Sequence, residues 1–370
     1  MREHLFYFSI IAYGLFSSPT PDNFGWPEAM VALSILISFA HPSSFNSLIQ
    51  KPQSLSLGFH HLFFVYVATI PLFLGLLYGH NSQSIIRDYI PVLLLCIPII
   101  TPRIWNKNHL EWALIICGTS FAIRFLIDFI SFNAHGMLYL ANSPLVPFTT
   151  LIGFHWITMT QPTTSQWFKR FIGLVIFIIG VMAMILMAQR APLVLSLLGV
   201  SIIIGFRIIQ SPISTTLINL ILGIIGISLI PLFWVEILSI SNKFLTIGDN
   251  NRLADIQAVL YQVTIWGHGW GYEWQSPAVA DYWVRYTHNM TTYYWLKTGF
   301  IGAILSIGFI YIWGLESLKA CKHNIAIGLA IFVPLTIHFF LYTGYKTFDL
   351  SLLLTFLVLC NHHLRDHRQS

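Results

Sequence analysis

Lys243, Arg252, Arg285 and His288 all fall in the one long polar stretch of an otherwise apolar chain, residues 239 to 288. A guanidinium stays charged at any accessible pH, and its planar fork of N–H donors matches phosphate oxygens in pairs. An imidazole, whose ordinary pKa is about 6.5, can take a proton near neutrality. Around these side chains runs Trp266-Gly267-His268-Gly269-Trp270-Gly271-Tyr272-Glu273-Trp274, where glycines permit tight turns and indoles suit a lipid headgroup zone. Such a composition is suited to phosphate chemistry at a membrane surface, and the stretch reads as an active-site loop.

Arg190 joins the candidates because Met187-Ala188-Gln189-Arg190-Ala191-Pro192 interrupts an apolar stretch running from 171 to 205. A charge in such a place is costly and faces protein interior or water. Its competing reading is a tight helix hairpin whose arginine reaches water. For Arg252 and Arg285 the competing reading is interfacial snorkelling or pairing with Asp249, Asp255 or Asp281. His268 is either a site residue or a turn residue. His155 and His338 read as packed helix residues, and the tail histidines His362, His363 and His367 as a solvated end. Arg124 and Asp128 lie four apart in one apolar run and can pair on a shared helix face. Asn289-Met290-Thr291 matches a glycosylation sequon but sits at a helix start, so modification is not expected there. Cys96, Cys117, Cys321 and Cys360 lie in or beside apolar runs, with no CxxC spacing and no disulfide framework.

The elements that must position these residues are membrane helices. The chain is 56% hydrophobic and 9% charged, and its mean hydropathy of +0.71 lies outside the range of soluble domains. Apolar runs long enough to cross a bilayer fall near 61–79, 85–101, 110–132, 143–160, 168–188, 191–209, 213–238, 289–315, 324–342 and 347–362. Two weaker runs, 4–18 and 27–40, bring the count to about twelve. Lipid offers no partner to an open backbone, and no run alternates like a barrel strand, so the fold class is all-α. The chain reads as a single membrane domain, 1–370, with no linker and no internal repeat; the run after Met1-Arg2-Glu3 has no small-x-small cleavage site and is expected to be retained.

Both termini are expected on one side, and the lysine and arginine bias puts them in the cytoplasm and residues 239–288 outside. The net charge of +5 follows from that bias and implies no nucleic-acid partner. Within the loop, Gly248-Asp249-Asn250-Asn251 reads as a turn and helix cap. Leu253, Ile256, Leu260 and Val263 then recur at helical spacing, which predicts an amphipathic helix on the membrane surface with Arg252 in its first turn.

Three segments together resemble the O-antigen ligase and O-antigen polymerase superfamily of bacterial membrane glycosyltransferases. They are Asn251-Arg252-Leu253, Gly267-His268-Gly269-Trp270-Gly271, and the run from His288-Asn289 through Lys297-Thr298-Gly299 to Gly302. Arg190 at a helix hairpin extends the resemblance, which covers residues 187 to 302; the first half matches only in hydropathy. Lys297 stands where an acidic residue is common, and Gln189-Arg190-Ala191-Pro192 replaces a Ser-Arg-Gly-like run. The resemblance implies a bacterial inner-membrane protein with its site facing the periplasm. Its donor would be a glycan on a polyprenyl (undecaprenyl) diphosphate carrier, and its acceptor a hydroxyl of lipid A core or of a growing glycan. By the same resemblance Arg190 and Arg252 hold the diphosphate and His288 is the catalytic residue that orients or deprotonates the acceptor. Arg285, His268, Gly269 and Lys297 are further candidates for substrate contact, and neither metal nor other cofactor is expected.

The residues support this chemistry beside the name. Outside the cytoplasm a glycosyl donor must carry its own leaving group, and a lipid diphosphate does. Arginines stabilise the charge that builds as the sugar–phosphate bond breaks. No DxD cluster occurs in the loop. Within the enzyme reading the single long loop favours a ligase over a polymerase. A lipid-linked oligosaccharide flippase is the competing class, and would be expected to show repeats or deep charges in several spans; Arg124, Asp128 and Asp349 are the main deep charges here.

Overall fold

The computed structural model describes residues 2–17, 26–40, 54–101, 105–131, 140, 142–159, 164–187, 190–210, 251–277, 282–287, 289–341 and 347–369. The helices are α1 (Arg2–Phe16), α2 (Trp26–Phe39), α3 (Leu55–Leu77), α4 (Ser82–Leu93), α5 (Ile97–Ile100), α6 (Lys107–Ile130), α7 (Leu145–Ile157), α8 (Thr164–Leu186) and α9 (Arg190–Gln210). After them come α10 (Asn251–Gln262), α11 (Met290–Cys321), α12 (Ile325–Leu341) and α13 (Thr347–Gln369). Among the described residues 6 helices are long and apolar enough to cross a membrane, and Leu145–Ile157, Ile325–Phe340 and Thr347–His362 are shorter apolar helices. The chain is therefore a helical membrane protein. The apolar run 213–238 lies outside the described residues, and with it part of the expected count of about twelve.

The fold class is all-α, as expected, with one small strand pair beside the helices. A two-stranded antiparallel hairpin, β1 (Trp274–Ser276) with β2 (Tyr282–Val284), pairs Trp274 with Val284 and Ser276 with Tyr282. Strand alternation buries Trp274 and Ser276 and leaves Gln275 and Trp283 outside.

Side-chain contacts fix the direction of the helices. Tyr13 near the end of α1 donates to Asp349 Oδ1 at 3.1 Å, and Ser143 just before α7 donates to Asp349 Oδ2 at 2.7 Å. Asp349 lies in the first turn of α13, and neighbouring Thr347 meets Tyr294 in the first turns of α11. The end of α1 and the starts of α7, α11 and α13 thus share one end of the bundle. Helix α8 runs antiparallel to α7, with Gly173 against Gly153 and Gly180 against Thr150. Helix α9 then returns, with Ser196 Oγ 3.8 Å from Met184 Sδ and Arg207 Nη2 3.4 Å from His155 Nδ1. Arg190 therefore opens α9 at the same end as α11 begins. At the opposite end Glu3 accepts from the Asn106 amide at 2.6 Å, and Asn361 Nδ2 donates to Glu316 at 3.3 Å. The start of α1 and the end of α13 lie there together.

Helical hydrogen bonding is interrupted at three places, and each is satisfied from elsewhere in the chain. Pro98 has no N–H to offer the Leu94 carbonyl four residues back, and the chain passes through a 3₁₀ turn at Leu94–Cys96. Ser351 Oγ donates to Leu94 O at 2.6 Å, and His60 Nε2 lies 2.7 Å from Leu95 O. Pro71 likewise leaves Val67 O open in α3, and the Trp270 indole donates to it at 2.9 Å. In α11, Gly299 adopts φ 77°, ψ −174° and interrupts the helix. The part after it, residues 300–321, rises roughly 33 Å at 1.5 Å per residue, enough to cross a hydrocarbon core of ~30 Å unaided.

Candidate functional site

The polar segment is not a loop floating above the bundle; its backbone completes two broken helices. His268 N donates to Leu296 O at 3.0 Å, Gly269 N to Lys297 O at 2.8 Å, and Phe300 N turns away from its own helix to Ile265 O at 2.9 Å. Trp270 N donates to Pro71 O at 2.9 Å. Glycines are required because backbones touch. A Cβ on Gly269 would stand 2.2 Å from Gly75 N, and one on Gly299 would stand 2.2 Å from Ile265 O. Both residues also hold positive φ, 82° and 77°. Gly269 thus serves close approach rather than the free turn that the sequence suggested.

Helix α10 forms where expected, and a second face packs on the protein. Asp255 and Val259 are buried, Asp255 accepting from Ser276 Oγ at 2.7 Å and Val259 packing with Trp274 and Leu296. Leu260, on the apolar stripe expected to lie against the membrane surface, is exposed. The hairpin, which hydropathy does not signal, decides which face is covered.

Arg252 lies in the first turn of α10 and Arg190 opens α9. Each is thereby at a helix N-terminus, where free N–H groups and the helix dipole favour anions. His288 lies outside the described residues. Its neighbours are held: Asn289 Oδ1 caps α11 by accepting from Thr291 N at 2.8 Å and Thr292 N at 3.2 Å, and Thr287 Oγ1 donates to Asn289 O at 2.8 Å. Asn289 is thus a helix cap, in keeping with the expectation that it is not a glycosylation acceptor.

His268 is fixed on every side. Its Nε2 lies 2.7 Å from Gln262 O, its ring stacks on Tyr272 at 4.1 Å, and its carbonyl lies 2.7 Å from His80 Nε2. The Tyr272 hydroxyl donates to Gln262 Oε1 at 3.1 Å, and burial raises its pKa above the ordinary 10, so it is a neutral phenol near pH 7. Arg285 Nε pairs with Glu273 Oε1 at 3.2 Å, and Glu273 also accepts from Ser84 Oγ at 3.0 Å. Glu273 was not among the acidic partners that sequence order suggested for Arg285.

Lys297 is wholly buried, and its ammonium lies 2.6 Å from Asp88 Oδ2. The same ammonium donates to Tyr272 O, and Gly271 N donates to Asp88 Oδ2 at 2.9 Å. The position carries no acid, but an acid reaches it from α4. Asp88 was missed because a single carboxylate in an apolar run signals nothing by itself. Arg124 likewise goes to the last turn of α1, with Nη1 3.1 Å from Gly14 O and Nη2 2.6 Å from Ser17 O.

One end of the bundle thus gathers the starts of α9, α4 and α11 and the anchored segment carrying His268, Glu273 and Arg285. That end presents helix N-termini, which favour anions, at the edge of an apolar phase. No protein-family model and no curated protein matches this chain.

Proposed function

We propose that this chain is a metal-independent membrane glycosyltransferase that moves a glycan from a polyprenyl diphosphate to an acceptor hydroxyl, in the manner of an O-antigen ligase. The observation that carries the reading is the placement of the Arg190 helix start at the end of the bundle where the polar segment is pinned into α3 and α11. Arg190 and Arg252 would neutralise the diphosphate, whose lipid tail fits an active site at the margin of a helical membrane bundle.

In the proposed step the acceptor oxygen attacks the anomeric carbon and its proton passes to His288. The bond from that carbon to the diphosphate oxygen breaks in line, its electron pair leaving with the diphosphate, and the sugar configuration inverts. Charge accumulates on the departing group, where fixed guanidinium groups act most strongly in the transition state. The site faces the periplasm in this reading, because the donor reaches that leaflet already carrying its leaving group.

The test is reconstitution of purified protein with a polyprenyl-diphosphate glycan and candidate acceptors, with and without chelator. Transfer to a lipid A core acceptor, insensitive to chelator, is expected. Extension of the lipid-linked glycan instead would make the chain a polymerase, and movement of the lipid between leaflets without transfer would make it a flippase.

A further inference from the structure

The buried pair Asp88–Lys297 has no part in the proposed chemistry, yet it joins α4 to α11 and bonds the backbone of the polar segment between them. Asp88 Oδ2 accepts from Lys297 Nζ at 2.6 Å and from Gly271 N at 2.9 Å, and Lys297 Nζ also donates to the carbonyl of Tyr272. The two charges therefore grip the dipeptide Gly271–Tyr272 by its outer N–H and its outer C=O, between α4 and α11. The next residue, Glu273, is bonded from Ser84, one helical turn before Asp88, and pairs with Arg285 at 3.2 Å. Arg285 stands three residues before His288 and five before α11 begins.

Energetics argue against a contact kept for stability alone. Removing two charges from water costs more than their attraction commonly returns, and apolar pairs of similar volume are often as stable or more so. Gly271 narrows the choice further, since a Cβ there would stand 2.7 Å from Ile85 Cγ1 and the residue holds φ 86°. The segment lies too close to α4 there for any residue larger than glycine.

We infer that Asp88 and Lys297 are positioning residues that clamp Gly271–Tyr272 so that Glu273 holds the Arg285 guanidinium at the donor diphosphate. This rests on the glycosyltransferase reading for the identity of the anion, and on the contacts alone for the clamp. Loss of the clamp frees the Glu273–Arg285 pair, and the hairpin beside it, to shift against α4 while α10 and the glycine segment keep their other bonds.

The test uses the full-length protein with its 4 cysteines replaced and spin labels on cysteines at the exposed positions Gln83 and Gln275. The double variant Asp88→Leu/Lys297→Met removes both charges together and should melt close to the parent, whereas Lys297→Met alone strands a buried carboxylate and should melt well below it. In the double variant the label-to-label distance distribution broadens and glycan transfer falls on the order of a hundredfold, as expected for a misplaced binding group, with the loss concentrated in donor KM. If Asp88→Leu/Lys297→Met does not fold, Asp88→Asn/Lys297→Met keeps an acceptor for Gly271 N and loses the Tyr272 contact, with the same expectation. A folded double variant with a parent-like distance distribution, or with full transfer, overturns the inference. The distance readout needs no substrate, so a parent protein that transfers no glycan counts against the glycosyltransferase reading and leaves the clamp to be decided by the labels.

Discussion

Arg252 and His288 carry different parts of the proposed reaction, so their variants should fail differently. Arg252→Lys keeps a positive charge in the first turn of α10 but loses the paired fork. Turnover with a polyprenyl-diphosphate glycan should drop on the order of tenfold or more; wild-type turnover in Arg252→Ala at normal expression would remove the residue from the site. His288→Ala should lower transfer on the order of a hundredfold while donor binding and melting temperature stay near wild type, since general-base assistance is typically of that size. Transfer at the wild-type rate would mean that the base lies elsewhere, with His268 the next candidate. Its Nε2 lies 2.7 Å from Gln262 O and its ring is stacked on Tyr272, so a role as base would fall to Nδ1.

The joint between the glycine segment and its two broken helices can be tested as an element. Trp270→Phe leaves the ring volume largely filled but strips Val67 O of its donor, which should cost about 1–3 kcal/mol in a buried setting. Pro71→Ala supplies the N–H that α3 lacks, so Trp270→Phe made in that background should cost less. Equal losses in both backgrounds, read by thermal melting in detergent, would mean that the indole packs without answering the proline. Gly269→Ala sets a Cβ against the α3 backbone and strains a residue at φ 82°. The strain alone is on the order of 1–3 kcal/mol, and melting should fall by at least that amount. Gly79, also at positive φ but with open space around it, serves as the control that reports strain without collision.

For the whole molecule the contacts place both termini at one end and the polar segment at the other. Membrane-impermeant thiol labelling should therefore reach a cysteine at Gln275 from the side opposite to one at His323, both exposed positions. The lysine and arginine bias predicts Gln275 outside and His323 in the cytoplasm. Cytoplasmic labelling at Gln275 would end the periplasmic reading, because a lipid-linked donor reaches the outer leaflet only after crossing the membrane.

Helix positions were legible in the sequence because lipid forces each crossing segment to satisfy its own backbone, and a crossing therefore declares itself as a local apolar run. The run read at 110–132 is α6 at 107–130, and the run at 191–209 lies within α9. The polar segment and its glycines were legible for the same reason, as a break in that local signal, and so was the helical spacing of α10. What the glycines do was not. Trp270 answers a carbonyl 203 positions away, and Asp88 answers a lysine 209 positions away. A proline announces that a carbonyl is freed but says nothing of which distant donor will take it, and a lone carboxylate in an apolar helix does not name its partner. Tertiary structure decided those pairings, because a buried polar group must be matched by whatever the fold brings within about 3 Å of it.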